Sequence, residues 1–257
     1  MKIAFYDSGL GGLSVLRVFI DKLKQISLNE DIELIYIADT LRAPYGSKSV
    51  SDLKSYVYEF ADFASNQQVD YFVSACNTSS NLFPELELGK YSFETFNLYS
   101  AMKNYFLQEE TQSHNYLYLA TEANINSQKY LDWGVNIVPV ACPKLVPLIE
   151  ASKYDEAFNI MESEYISENI TSDETQIILG CTHYALLKNH FKESKKNIID
   201  PAEILFESFA TKTSISSREI SNGESSNLNN IKCSYYSSGL SSALTVAITS
   251  FILSLDT

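Results

Sequence analysis

Positive charge is in short supply: 19 Lys and Arg stand against 32 Asp and Glu, a net charge of −13. Such a surface repels phosphate backbones, which excludes nucleic acid as a primary partner. An acidic small molecule would have to be held by local donors, because the global field opposes it. Cysteine is also scarce. Cys76, Cys142, Cys181 and Cys233 form no CxxC pair and no zinc-like spacing, so neither a metal site nor a disulfide framework is expected. No apolar run reaches the length of a membrane span, and Lys2 opens a strand-like run at once where a secretory leader would be apolar. These features lead us to expect no membrane partner and a reducing cytoplasm with free thiols, in which the sequon at Asn169 is irrelevant. With 9 Gly and 6 Pro in 257 residues the chain is neither fibrous nor disordered, and 45% hydrophobic residues suffice for one large domain or two lobes.

What is present is an alternation of short apolar runs and longer amphipathic stretches. Lys2–Tyr6, Ile32–Ile37, Tyr71–Ser74, Tyr116–Ala120, Val135–Val140 and Gln176–Leu179 have the continuous apolar character of parallel strands buried on both faces. Helical spacing is expected over Gly12–Gln25, Val50–Asn66, Asn124–Leu131, Val146–Ala151, Asp155–Ile170, Tyr184–Phe191, Ala202–Ala210 and Ser241–Leu253. Thr211–Asn230, rich in Ser, Asn and Thr, is expected to be a loop. The pattern gives an open α/β sheet with right-handed crossovers.

A weak internal repeat stands out. Tyr71 to Thr78 is an apolar strand, a small residue, Cys76 and two polar residues; Gln176 to His183 repeats the form around Cys181. Two such halves would face each other, each offering a thiol from a strand end, where α/β folds bind ligands. A thiol at a helix N-terminus is expected to have its pKa lowered toward neutrality, which suits proton transfer. His183 lies two residues from Cys181 and is placed to tune it or to shuttle a proton. Cys142 and Cys233 lack the polar follow-on and are assigned to structure. Asp7-Ser8-Gly9-Leu10-Gly11-Gly12 at the first strand end allows three readings: a nucleotide loop, a plain strand–helix turn, or a charged group at a reacting centre. Ser14 at the third glycine position weakens the first. Pro44-Tyr45-Gly46 fixes a turn able to aim backbone N–H groups into a cleft, with Arg42 and Lys48 beside it.

Four motifs in register resemble the glutamate racemases of the aspartate/glutamate racemase superfamily. They are Asp7-Ser8-Gly9-x-Gly11-Gly12, Asp39-x-x-Arg42-x-Pro44-Tyr45-Gly46, Ala75-Cys76-Asn77-Thr78 and Leu179-Gly180-Cys181-Thr182-His183-Tyr184. The resemblance implies two similar open parallel-sheet α/β lobes with the active site in the cleft between them. Residues 1–97 with 208–257 would form one lobe and 98–207 the other. It implies interconversion of L- and D-glutamate without cofactor or metal, supplying D-glutamate for peptidoglycan in the bacterial cytoplasm, and a homodimer is common in the family. Cys76 would act on the D-face assisted by Asp7, and Cys181 on the L-face assisted by His183 and Glu150. Ser8, Pro44, Tyr45, Gly46, Asn77, Thr78 and Thr182 match positions that hold substrate. Asn124 stands where the family has a substrate-binding Thr, and the family's Glu-Pro is absent near Phe96-Asn97. These departures keep two alternatives open: a relative acting on aspartate or another amino acid or diacid, and a non-catalytic metabolite-binding protein.

Overall fold

The computed structural model describes residues 1–26, 31–170, 172, 174–193, 196–213, 215 and 231–239. The expected helix at Ser241–Leu253, most of the expected Thr211–Asn230 loop and Thr171 of the sequon lie outside them.

Two parallel sheets organise the chain. The first contains β1 (Lys2–Asp7), β2 (Ile32–Ala38), β3 (Tyr71–Ser74), β4 (Glu94–Asn97) and β9 (Ile231–Ser237), in the order β4-β3-β1-β2-β9. The second contains β5 (Asn115–Ala120), β6 (Asn136–Ala141), β7 (Gln176–Gly180) and β8 (Asn197–Ile199), in the order β6-β5-β7-β8. Parallel pairing needs a crossover after each strand. The longer α-helices among those connections are α1 (Gly12–Leu23), α2 (Val50–Asn66), α4 (Leu98–Phe106) and α8 (Pro201–Lys212). The shorter ones are α3 (Asn77–Ser80), α5 (Glu122–Asn126), α6 (Leu145–Glu150) and α7 (Tyr154–Ile160). The fold class expected from the sequence is the one observed.

The central strands of each sheet are covered on both faces, which explains their unbroken apolar character. Ile3 and Phe5 of β1 pack with Phe19 of α1 and Phe209 of α8, while Ala4 and Tyr6 on the other face pack with Val57 and Phe60 of α2. In the second sheet Leu117 and Leu119 face α6 and α7, and Tyr116 and Tyr118 face Phe106 and Trp133. Helix α4 serves both sheets, with Ala101 in the first core and Met102 and Phe106 in the second. Helix α8, from Ala202 onward, packs into the core of the first sheet.

Register levels the strand ends. Asp7 pairs with Ala38 and Tyr6 with Ser74 in one sheet; Ala120 pairs with both Gly180 and Ala141 in the other. The residues that follow, among them Ser8, Asp39, Cys76, Cys142 and Cys181, therefore leave the sheets together at the carboxyl ends.

Several helical stretches differ from expectation. Asn124–Leu131 splits into α5 and a 3-10 turn over Lys129–Trp133, separated by Gln128 at φ 54°. Asp155–Ile170 begins as α7 and widens into a π-turn over Met161–Ile166. Tyr184–Glu193 is 3-10, and the helix after Cys76 is only the single turn α3.

Candidate active site

The first wall of the site grows from β1 and β3. Asp7 ends β1 and is 1% exposed; its carboxylate accepts from the Gly9 N–H at 2.7 Å. Burial pushes the Asp7 pKa up to about 6, against the pull of the His183 imidazole and the N–H groups of Gly9 and Gly12. Cys76 follows β3 and is 5% exposed, with its sulfur 3.8 Å from Ser8 Oγ. Its thiol is pushed up to about 12 by burial and then by the Asp7 charge; the Ser79 N–H and the Ser8 hydroxyl oppose this, and Cys181 adds to the rise. This corrects the expected lowering toward neutrality. A single helical turn has little dipole to offer, and loss of hydration dominates.

The second wall grows from β7. Cys181 is 8% exposed and its sulfur lies 3.7 Å from His183 Nδ1. His183 Nε2 meets Glu150 Oε1, from the last turn of α6, at 2.6 Å. Burial works against a protonated His183, but hydrogen bonds and charge from Cys181 and Glu150 outweigh it and raise the His183 pKa. An imidazole held by a carboxylate therefore stands beside the Cys181 sulfur.

The walls touch. Thr182 Oγ1 donates to Asp7 Oδ2 at 3.4 Å, and Ser14 Oγ donates to Thr182 O at 3.0 Å. A Cβ placed on Gly11 would stand 2.3 Å from Thr182 Oγ1 and 2.6 Å from His183 Nδ1, and one on Gly9 would stand 3.6 Å from Glu150 Oε1. The glycine turn is thus packed against the other lobe, which leaves the nucleotide-loop reading without its space. Cys76, Asp7, Thr182, His183, Cys181 and Glu150 form one continuous polar constellation.

The remaining expected residues divide. Ser8, Asn77 and Thr78 are half-buried beside Cys76, and the Asn77 side-chain nitrogen is buried with no partner among the described residues. Pro44 and Gly46 are exposed, and the Gly46 backbone faces Ala123 of α5. Tyr45 differs: its hydroxyl points into the first lobe, accepting from Tyr6 at 2.5 Å and donating to Asp39 at 2.6 Å. It can meet a ligand through its backbone only. Arg42 does not reach the cleft either, since it pairs with Asp39 and Glu59, each at 2.6 Å. Asn124 is 2% exposed; its amide donates to Gly180 O at 3.0 Å and accepts from Asn81 Nδ2 at 3.2 Å. A threonine would be too short for both contacts. Asn81 was not singled out from the sequence, since its partner Asn124 is distant along the chain. Cys142 and Cys233 stand apart from the constellation: Cys142 is buried with its sulfur 3.5 Å from Val140 O, and Cys233 lies in edge strand β9. Among the described residues no group of three or more His, Cys, Asp or Glu side chains converges as a metal site.

No family model matches the chain. Among known proteins it is 31% identical over 214 residues to a glutamate racemase of Lysinibacillus sphaericus, covering 78% of this chain and 77% of that one. It is 32% identical over 210 residues to a glutamate racemase of Trichormus variabilis, covering 78% and 69%. Among solved structures, the glutamate racemase of Campylobacter jejuni superposes with a TM-score of 0.77 at 25% identity, covering 100% of this chain and 98% of that one. Sequence and architecture agree along the same two-lobed frame, and the chain belongs to the glutamate racemase family.

Proposed function

We propose that the protein interconverts L- and D-glutamate by two-base proton transfer, with no cofactor taking part. One observation carries this reading: two thiols from matching strand ends join one polar constellation, each with its own titratable partner. The Cα–H of an amino acid is a very weak acid, and inverting the centre needs a base on one face and an acid on the other. In the L-to-D direction the Cys181 sulfur, its proton taken by His183, removes the Cα proton. The Cα electron pair is delocalised into the α-carboxylate, and Cys76 then delivers its thiol proton to the opposite face. The reverse direction exchanges the roles, with Asp7 accepting the proton of Cys76.

Ser8, Asn77, Thr78, Thr182 and the backbone N–H groups of Tyr45 and Gly46 are the donors we assign to the substrate carboxylates, with Pro44 shaping that turn. Charge-assisted hydrogen bonds of this kind hold an anion despite the acidic surface. Residues 1–97 with 208–257 and residues 98–207 are the two lobes of this reading. Among the described residues no helix is long and apolar enough to cross a membrane. We place the reaction in the bacterial cytoplasm, feeding D-glutamate to peptidoglycan, and the enzyme in a homodimer.

The test is incubation with L-glutamate in heavy water. D-glutamate carrying deuterium at Cα is the expected product. Its absence, or turnover of aspartate in preference to glutamate, would refute the proposal.

A further inference from the structure

We propose that Asn81 and Asn124 are positioning residues, joined in an amide clasp across the cleft that fixes the separation of the two cysteine turns. Asn81 is the C-cap of α3, the single turn whose N-cap is Cys76. Its side-chain nitrogen crosses to the other lobe and donates to Asn124 Oδ1 and Ser127 Oγ, each at 3.2 Å. Asn124 in turn donates to the carbonyl of Gly180 at 3.0 Å, and Gly180 is the residue before Cys181.

The path from one thiol to the other is therefore short and built of stiff parts: one helical turn, two planar amides and one strand-end carbonyl. Each part is fixed locally. Thr121 caps α5 by accepting from the Asn124 N–H, and Ser127 Oγ donates back to Asn124 O at 2.7 Å. Gly180 packs directly against the Tyr118 ring, which a Cβ there would meet at 2.1 Å. The pairing of β7 with β8 ends at Ile178, so the Gly180 carbonyl lies beyond that ladder and takes its partner from Asn124. The same side of the cleft carries a second interlobe contact, Lys129 Nζ to Glu85 Oε1 at 3.2 Å. The lobes also meet at the Gly11–Thr182 seam.

Placing Asn124 here changes its role. It stands where the resemblance implies a side chain on the substrate, yet both ends of its amide are bonded within the protein. Two-base transfer is sensitive to donor–acceptor distance, and a displacement of about 1 Å can cost roughly a hundredfold in rate. A clasp that sets the gap acts on kcat more than on KM.

The experiment uses the full chain with Asn81→Ala, Asn124→Ala and the double variant, and Asn124→Thr as a milder fourth. The first measurement needs no turnover: the rates of iodoacetamide alkylation of Cys76 and Cys181, followed peptide by peptide by mass spectrometry, with buried Cys142 as the reference for an intact fold. Both site thiols are expected to react several-fold faster in each single variant while the Cys142 rate holds, and the double variant is expected to be no faster than the faster single. Unchanged rates at Cys76 and Cys181, or an acceleration shared equally by Cys142, overturn the clasp. The second measurement is glutamate turnover, and it rests on the racemase reading. Asn81→Ala is expected to lower kcat roughly tenfold with KM within about twofold of wild type, and the double variant is expected to be non-additive. A raised KM in Asn124→Ala together with unchanged constants in Asn81→Ala assigns Asn124 to substrate alone and overturns the proposal. A wild-type chain without turnover sinks the racemase reading, while alkylation still decides the clasp.

Discussion

Around Cys76 the nearby polar groups are a hydroxyl and a buried carboxylate, and the sulfur keeps its proton. Around Cys181 they are an imidazole at 3.7 Å, backed in turn by a carboxylate. The two turns share a backbone plan, apolar strand, small residue, cysteine, and differ in proton inventory. Quasi-symmetry of the scaffold places a thiol at matching strand ends of the two sheets, while the neighbours of the two sulfurs differ.

The strongest way to break this comparison is to remove either sulfur. Cys76→Ala and Cys181→Ala should each lower glutamate racemisation by roughly 10³-fold, measured by chiral chromatography, with circular dichroism unchanged. A variant that keeps substantial turnover would mean a single base serves both faces. Next in size are the partners. Asp7→Asn and Glu150→Gln should each reduce turnover by about 10², Asp7→Asn by impairing the Cys76 side and Glu150→Gln by releasing His183.

The Asp7 variant also carries a stability signature. In the folded chain the Asp7 carboxyl holds its proton more tightly, near pH 6, than its ordinary value of 3.8. Its contribution is therefore fully present below about pH 4 and is lost as pH rises through 6. The difference corresponds to roughly 3 kcal/mol at neutral pH. Asp7→Asn should accordingly melt higher than wild type at pH 7.5, with the gap closing toward pH 4 in calorimetry.

Smaller effects sharpen the contrast between wall and chemistry. Tyr45→Phe removes the hydroxyl between Tyr6 and fully buried Asp39. It should cost about 1–2 kcal/mol in denaturant unfolding, with turnover changed far less than in the Asp7 variant. Least of all, Cys142→Ala should leave turnover within about twofold of wild type, because its sulfur faces Val140 rather than the cleft.

The five central strands β1, β2, β3, β5 and β7 were legible because burial on both faces leaves a continuous apolar run, and edge strand β6 was legible because it is apolar although only partly buried. The other edge strands carry a weaker signal. β4 reads Glu-Thr-Phe-Asn, β8 has three residues, and β9 intersperses polar residues along an edge. Helix α4 went unread for a related reason: it follows one of those edges and is started by Asn97, whose side chain accepts from the Ser100 N–H. The cysteine turns were visible as a local repeat. The direction of the Cys76 shift was not, because it depends on which groups tertiary packing brings around the sulfur. The Asn81–Asn124 contact joins residues 43 apart and has no local signature.

Gly11 shows how little room separates the lobes. The space its missing methyl vacates is occupied by the Thr182–His183 turn, so the shortest side chain in the protein marks where the halves meet. Any larger residue there would act as a wedge, prising the imidazole off its sulfur and parting the Asp7 turn from the Cys181 turn.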